Sequence, residues 1–518
     1  MNNRNYNIFF HTHTVSGIVI SVVLFVIFFT GSFAYFRDEI INWERNESIA
    51  IQNPAEPDYN TILDSLNKKY VLHGRTLSIS KSGKEKTLAI YLEPSKDLLE
   101  IKKAKEEQFF YLDPKTYKTE TYEESYSLGE FLYRLHFLAQ IPYPVGYYLS
   151  GFVALFFLFA IVTGVLVHWK KIISNFFVFR PKEKLKTLWT DAHTALGMIG
   201  LPFQFVYAVT GAFFMIKIFI VAPSVLTLYA GDDKKLYKDL EYTDPEYLFA
   251  NKTLTAHYNI NQLVAQTKNT WDDFEITTLK IQNYGDANMH AIVEGNLNYD
   301  KQLTGIGNMV YKISSNKIIS QKNPITENTY LDGVKNVLFR IHYADYGGYA
   351  LKIISFILGI TTCFVIISGV MIWLTARDKK NIPEKKRRFN EWVVRIYLAI
   401  CLSMYPITAL IFIAAKVFHP LGESNIYYIY FIGWLLLTLF FIIRKNNAFT
   451  NKYTLLSGSI LGVLIPITNG IVTGNWFWNS LINQQFQIFF VDIFWIVLAS
   501  ITLYITFILN RKNKNQTS

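Results

Sequence analysis

The sequence predicts a mainly α-helical, polytopic membrane protein with about eight transmembrane helices and two small α+β extracytoplasmic domains. Of the 518 residues, 51% are hydrophobic and 16% aromatic, and the mean hydropathy is +0.18. That value is high for a soluble protein of this size and low for a pure helix bundle. Eight apolar runs are each long enough to cross a bilayer, which takes about 20 residues. Two long polar segments separate the first four runs.

The apolar runs define predicted helices 1 to 8, at residues 14–36, 146–169, 194–222, 348–375, 392–418, 425–443, 455–474 and 486–509. Together with the polar segments, they divide the chain into seven regions. These are helix 1 (1–36), a first outer domain (37–135), helices 2 and 3 with a basic loop (136–222), a second outer domain (223–341), helix 4 (342–376), a second basic loop (377–391) and four C-terminal helices (392–518).

The basic residues predict the orientation of the chain in the membrane. Segment 169–188 holds six Lys or Arg residues and one acidic residue, and segment 377–391 holds seven Lys or Arg residues. Short basic loops face the cytoplasm, so we expect a bacterial inner-membrane protein with both termini cytoplasmic. Orientation accounts for the net charge of +11, so the expected partner of the helices is the lipid bilayer and no nucleic acid is needed.

Each polar segment contains a helix followed by strands. A helical pattern at 60–70 precedes residues 76–80, 86–93 and 106–116, which alternate in polarity as strands do. The second segment repeats this order, with a helix at 259–269 and strands at 274–282, 289–295 and 308–319. DPKT and SSNK are typical of hairpin turns. We therefore expect two small α+β domains outside the membrane.

The first four helices contain an internal repeat. HTVSG at 13–17 matches HTALG at 193–197, and each is followed, 17 residues after its histidine, by Thr-Gly. FLYRLHF at 131–137 aligns with VLFRIHY at 337–343. IVTGVLVHW, which begins at residue 161, aligns with IISGVMIWL, which begins at residue 366. The repeat unit is thus a helix, an outer domain and a helix.

This repeat predicts two layers of paired histidines, one near each face of the membrane. His13 and His193 form the inner layer, and His136 and His342 the outer layer. His168 is an alternative inner ligand in place of His13 or His193. Glycines are expected to let a flat macrocycle approach the backbone beside the imidazoles. They are Gly17, Gly197, Gly164 and Gly369 in the inner layer, and Gly31 and Gly211 in the outer layer.

Two imidazoles per layer, without cysteines or clustered carboxylates, suit b-type haem with two axial histidines, and hence two haems. A zinc or copper site held by histidines alone stays open. The chain has no CxxCH motif, so covalent c-type attachment is excluded. Arg134 and Arg340 stand two residues before the outer histidines, where they could pair with haem propionates or anchor the chain at the interface.

The ordered motifs HTVSG…TG, RLHF…VTGVLVHWKK, DAHTALG…AVTG and RIHY…ISGVMIWLTAR resemble the PepSY-associated transmembrane helix proteins over residues 8–380. YLDPKTYKTET resembles the end of a PepSY domain, which implies that the outer domains are PepSY-like. Members of this family include two-haem ferric-siderophore reductases of the inner membrane. The resemblance therefore implies an oxidoreductase that passes electrons outward to a ferric siderophore or other iron complex in the periplasm, for iron acquisition.

The electron donor must then be external, either a quinol or a cytoplasmic reductase, because the chain shows no dinucleotide-binding fingerprint. Under this reading no side chain needs to act as an acid or base, so we name no catalytic residue. The alternative is a non-enzymatic, membrane-anchored binding or transport accessory protein of the PepSY type. The absorption spectrum of the purified protein distinguishes the two hypotheses, because a haem protein is coloured and the alternative predicts a colourless protein.

Overall fold

The protein divides into two compact units. The helical unit comprises Met1–Ser48, Ser127–Ala222 and Lys352–Ser518, and the sheet unit comprises Ile49–Tyr126 and Pro223–Leu351. The computed structural model describes residues 2–47, 56–81, 85–171, 173–174, 177–178, 180, 183–242, 245–299 and 302–517. Parts of the predicted basic loop 169–188 and short pieces of both predicted outer domains therefore lie outside the described residues.

Helices make up most of the described chain. In chain order the α-helices are α1 (Asn3–Ala34), α2 (Arg37–Arg45), α3 (Tyr59–Lys69), α4 (Leu128–His136), α5 (Val145–His168), α6 (Leu185–Ile199), α7 (Leu201–Ile216), α8 (Ile218–Leu228), α9 (Asp233–Asp239), α10 (Ile260–Lys268), α11 (Tyr330–Tyr343), α12 (Gly348–Arg377), α13 (Glu384–Val417), α14 (Glu423–Tyr427), α15 (Gly433–Arg444), α16 (Asn447–Thr473), α17 (Phe477–Ile482) and α18 (Phe486–Thr517).

Seven spans in the described residues are long and apolar enough to cross a membrane. Six are α1, α5, α12, α13, α16 and the Phe486–Asn510 part of α18, and the seventh is Glu423–Arg444, where a π-helical turn joins α14 to α15. The bent pair α6 and α7 makes eight if it counts as one span. Each predicted helix thus has a counterpart, and the protein has the composition of a multi-pass membrane protein.

Predicted helix 3 is broken rather than continuous. α6 begins at Leu185, and the axis bends by 69° between α6 and α7. Gly200 caps both helices, and Pro202 lies in the first turn of α7. A proline ring clashes with the preceding helical turn and has no N–H to donate, so a helix running through it is interrupted. The apolar pattern alone does not show this break.

The sheet unit contains one antiparallel sheet of eight strands, in the order β4-β3-β2-β1-β5-β6-β7-β8. The strands are β1 (Leu77–Lys81), β2 (Leu88–Leu92), β3 (Gln108–Leu112), β4 (Thr119–Glu120), β5 (Phe274–Gln282), β6 (His290–Leu297), β7 (Ile306–Lys312) and β8 (Lys317–Lys322). The central pair joins the two polar segments, with Ile79 opposite Leu279. Alternate strand residues and the apolar faces of α3 and α10 form one buried core.

The helices α3 and α10 cap one another reciprocally. The side chain of Asn261 in α10 accepts from the backbone N–H of Tyr59 at 2.7 Å, and Asn60 of α3 accepts from the N–H of Ile260 at 2.9 Å. Asp58 also caps α3 through the N–H of Thr61. The internal repeat therefore extends through the polar segments, whose two halves meet at the β1–β5 pair.

This arrangement differs from the prediction of two separate outer domains. The predicted helices and strands are present nearly at their predicted positions, but the two segments share one sheet and one core. A single four-stranded half buries little apolar surface, and joining the halves covers the edge of β1 and β5. The PepSY-like assignment of each segment stays a prediction.

Candidate functional site

His13 of α1 lies against α5. Its Nδ1 donates to the carbonyl oxygen of Ala160 at 2.8 Å. Gly164 is one turn further along α5, and a Cβ at that position would lie 3.0 Å from Cε1 of His13. The glycine therefore lets the two helices approach closely enough for the imidazole to reach a backbone carbonyl, a group that can only accept a hydrogen bond.

His193 of α6 has the equivalent position against α12. Its Nδ1 lies 2.9 Å from the carbonyl oxygen of Val365 and 3.0 Å from Oγ of Ser368. A Cβ at Gly369 would lie 3.2 Å from Cε1 of the imidazole. As for His13, the accepting carbonyl stands four residues before the glycine. The two inner histidines are therefore held in the same way by the two halves of the repeat.

His136, at the end of α4, follows the same rule. Its Nδ1 donates to the carbonyl oxygen of Ile27 in α1 at 2.8 Å, and Gly31 follows four residues later. A Cβ at Gly31 would lie 2.5 Å from Nδ1 of the imidazole. In all three cases the proton is on Nδ1, which leaves the lone pair of the neutral imidazole on Nε2. Histidines that bind metals are commonly oriented in this way.

The structure brings His13 and His193 together. Their ring centroids are 6.2 Å apart, and the ring planes make an angle of 72°. His168, at the end of α5, interacts electrostatically with both rings. His11 is exposed on the same helix as His13. The contact that the structure shows in the inner layer is therefore the one between the repeat-related pair, His13 and His193.

The remaining predicted residues have other surroundings. His342 and Arg340 lie on α11 in the sheet unit, whereas His136 and Arg134 belong to the helical unit. Arg340 forms an ion pair with Asp345, and its guanidinium lies 4.1 Å from the centre of the Tyr299 ring. A role of either arginine with haem propionates stays a prediction.

The six predicted glycines fall into two groups. Gly31, Gly164 and Gly369 lie directly against imidazoles. By contrast, a Cβ at Gly17 would meet no heavy atom of the described residues within 4 Å, and one at Gly197 only a Val365 methyl, at 4.0 Å. That the six glycines give clearance beside a macrocycle stays a prediction. For Gly211, the neighbouring atom is Cβ of Ala154, at 3.3 Å.

A buried polar cluster at one end of the C-terminal helices was not predicted. Lys416 of α13 is 1% exposed, donates to the carbonyl oxygen of Trp43 in α2, and interacts electrostatically with Asp492 and Glu44. Asp492 of α18 accepts from Trp43 Nε1 at 2.8 Å and from Asn469 at 2.9 Å. The signal available in the sequence is the single charge in each of the apolar stretches IFIAAKVF and FFVDIFW.

Nitrogen donors from His13, His193 and His136 could hold a metal or a metal-containing cofactor. Throughout the described ranges, no group of three or more His, Cys, Asp or Glu side chains is arranged to hold a metal ion. Cys363 and Cys401 are both buried and unbridged. The available ligand sets therefore supply two histidines or fewer.

Comparison with known proteins places the chain in a family. No curated protein matches it. The family model described as the PepSY-associated TM region matches residues 10–376, which include both copies of the repeat and all three imidazole contacts described above. The four C-terminal helices lie beyond this match. The chain belongs to the PepSY-associated TM region family and is a multi-pass membrane protein.

Proposed function

We propose that this protein is a di-haem b electron-transfer protein of the bacterial inner membrane. It moves electrons outward and reduces a ferric complex, of the siderophore class, on the extracytoplasmic side. The observation that carries the proposal is the repeated imidazole geometry. Three histidines from different helices each donate Nδ1–H to a carbonyl four residues before a glycine. A carbonyl acceptor on Nδ1–H fixes the tautomer in which Nε2 could bind iron.

His13 and His193 are close enough together that they could both bind one iron. With a metal–imidazole bond of about 2.0 Å and a ring radius of about 1.1 Å, two imidazoles on one metal have centroids about 6.2 Å apart. The centroids of His13 and His193 are 6.2 Å apart. Gly17 and Gly197, one turn beyond the two ligands, have open space where a side chain would otherwise stand. These are the features that a flat macrocycle between the rings requires.

A bare zinc or copper ion fits less well. Structural zinc sites use four protein ligands and catalytic ones three. Within the described residues, no set of three His, Cys, Asp or Glu side chains is arranged for a metal. Bis-histidine haem needs only two protein ligands, because the macrocycle supplies the other four.

The second haem is proposed near the outer end of α1, with His136 as one ligand. That His342, its counterpart in the repeat, is the other ligand stays a prediction from the sequence. Ile27 and Gly31, which contact His136, stand 14 and 18 residues after His13 on α1. At 1.5 Å per residue, that is about 21 to 27 Å along the helix, close to the thickness of the bilayer core.

Haem, when bound, supplies one-electron redox chemistry. The chain's own residues bind it, orient the ligands and exclude water. Between the two levels, α1 buries Ile20, Leu24 and Phe25. Phe28, at the outer level, packs edge-on against Phe157 of α5, with ring centroids 5.3 Å apart. This apolar layer keeps water and ions out of the interior of the helical unit. A donor outside the chain, a quinol or a cytoplasmic reductase, provides the electrons.

The test is the absorption spectrum of the purified protein, expressed with haem supplied. We expect a bis-histidine b-type spectrum with two haems per chain. His13→Ala and His193→Ala should each remove the inner haem, and His136→Ala should remove the outer haem. His11→Ala is the control, because His11 is exposed on the same helix as His13. A colourless wild-type protein would contradict the proposal and favour a membrane-anchored binding or transport accessory protein.

Reduction of an external ferric complex is tested separately. Protein reconstituted in vesicles that hold a reductant inside should reduce a ferric chelate outside, followed with a ferrous-specific dye. His136→Ala should abolish this reduction, and protein-free vesicles give the background. If haem is present but the ferric chelate is not reduced, the proposed ferric-reductase activity is wrong.

A further inference from the structure

The two inner histidines have equivalent positions but different hydrogen-bond surroundings. For His13, the Ala160 carbonyl is the one acceptor of Nδ1–H among the described residues. For His193, there are two acceptors: the Val365 carbonyl at 2.9 Å and the Ser368 hydroxyl at 3.0 Å. The two histidines have equivalent positions in the repeat, and the difference between their Nδ1–H acceptors is the single hydroxyl group of Ser368.

The residue equivalent to Ser368 in the first half is Thr163, and its hydroxyl points elsewhere. Thr163 Oγ1 lies 2.6 Å from the Phe159 carbonyl and 3.2 Å from the Ala160 carbonyl, both in its own helix. Ser368 Oγ donates to the Val365 carbonyl at 2.7 Å and still accepts from His193. The extra methyl group of threonine restricts χ1, which is consistent with the different orientation.

We infer that Ser368 is a positioning residue for His193. Its hydroxyl oxygen is a second acceptor for the Nδ1–H of His193, and this hydrogen bond makes His193 a more electron-donating ligand than His13. This inference rests on the proposed function, in which His193 is an axial ligand. An acceptor on the distal N–H of a coordinated imidazole raises the basicity of the ligand, and a more basic ligand favours ferric iron. Ser368 therefore lowers the reduction potential of the inner haem.

The buried location of Ser368 supports a specific role. Its side chain is 0% exposed, and the adjacent Gly369 lies against the same imidazole. Neither water nor lipid can easily replace the hydroxyl there, so removing it leaves His193 with one acceptor. Ser368→Ala deletes a single oxygen atom, which makes it a mild change in packing.

The experiment compares Ser368→Ala with Thr163→Ala in full-length protein loaded with haem. Thr163 and Ser368 each contact, through the hydroxyl, the carbonyl that accepts from an inner histidine, and each substitution removes that hydroxyl. Only Ser368→Ala also removes an acceptor of the histidine's own Nδ1–H. Redox titration should show a positive shift of one haem potential in Ser368→Ala and no positive shift in Thr163→Ala. Electron paramagnetic resonance of the low-spin ferric haems reports the orientation of the two histidine rings. One of the two haem signals should change in Ser368→Ala.

The outcomes separate the inference from the proposed function. Two bound haems with an unshifted potential in Ser368→Ala, or equal shifts in the two variants, overturn the inference alone. Loss of only the inner haem from Ser368→Ala, with Thr163→Ala fully loaded, supports it, because the ring is then no longer held. A wild-type protein without haem overturns the proposed function and this inference with it.

Discussion

At the residue scale, a glycine beside each histidine is what allows an imidazole to reach a helix carbonyl. Gly31, Gly164 and Gly369 stand where a Cβ would lie 2.5 to 3.2 Å from an imidazole atom. The ring cannot easily move away, because its Nδ1 is hydrogen-bonded to the same helix. The repeat allowed the histidines and glycines to be predicted, but not which helix each histidine faces, because sequence spacing carries no information on packing between helices.

Gly31→Ala should therefore destabilise the protein. The added methyl group overlaps the His136 ring at 2.5 Å, and overpacking typically costs about 1–3 kcal/mol, which exceeds the gain in helix propensity of about 1 kcal/mol. Thermal unfolding in detergent measures the change. With both variants prepared without haem, Gly17→Ala is the matched control on the same helix, since a Cβ there would meet no heavy atom of the described residues within 4 Å. Equal melting temperatures for the two variants would show that the close contact is unimportant.

Asp58 provides a pH-dependent term in the sheet unit. The Asn261 amide, and then the Thr61 hydroxyl and N–H, lower the pKa of its carboxyl group to about 2. A carboxylate with a lowered pKa stabilises the fold above its ordinary pKa, and that stability is lost as the pH falls toward 2. Asp58→Asn keeps an N-cap oxygen but does not titrate.

We expect the drop in melting temperature between about pH 5 and pH 2 to be smaller for Asp58→Asn than for the wild type. Asp64→Asn, which changes an exposed carboxylate later in the same helix, is the control. If all three proteins lose the same stability on acidification, the cap does not contribute to the pH dependence.

At the element scale, the short helix α2 joins the family region to the C-terminal helices. Each of its buried polar residues has a partner elsewhere in the helical unit: Glu39 pairs with Lys352 at 3.0 Å, Asn42 bonds Gln487 at 2.8 Å, and Glu44 accepts from the N–H of Leu128 at 2.7 Å. Spans and strands were predictable, because apolar length and alternation report on local burial. The contact of α2 with the C-terminal helices was not, because Asn42 and Gln487 are 445 positions apart in the chain.

Lys416→Met should destabilise the helical unit strongly. Removing one member of a buried charge network leaves the carboxylates without a cation and costs about 3–5 kcal/mol. The free energy of unfolding is measured by titrating the detergent-solubilised protein with a denaturing surfactant. The double variant Lys416→Met with Asp492→Asn should recover part of the loss, because it removes an unpaired charge. If the double variant is as unstable as the sum of the single variants, Lys416 and Asp492 are not coupled.

At the scale of the whole molecule, the described residues have eight spans if α6 and α7 count as one, and an even number predicts that both termini lie on the same side of the membrane. Both native cysteines are buried, so introduced cysteines can be labelled selectively. Leu98→Cys, at a side chain that is 91% exposed, should react with a membrane-impermeant maleimide in intact spheroplasts. Lys379→Cys, in the basic loop, should react only after lysis. The reverse pattern would invert the predicted orientation.

The single sheet also imposes an order in time. β1 pairs with β5, whose residues follow it by roughly 200 positions in the chain. At a synthesis rate of about 5–20 residues per second, β1 is complete some 10 to 40 seconds before its neighbour exists. During that interval the first half presents an unpaired strand edge, which is a template for unwanted association. Until the second half is synthesised, the first half of the sheet is therefore the part of the new chain that is exposed to strand–strand association.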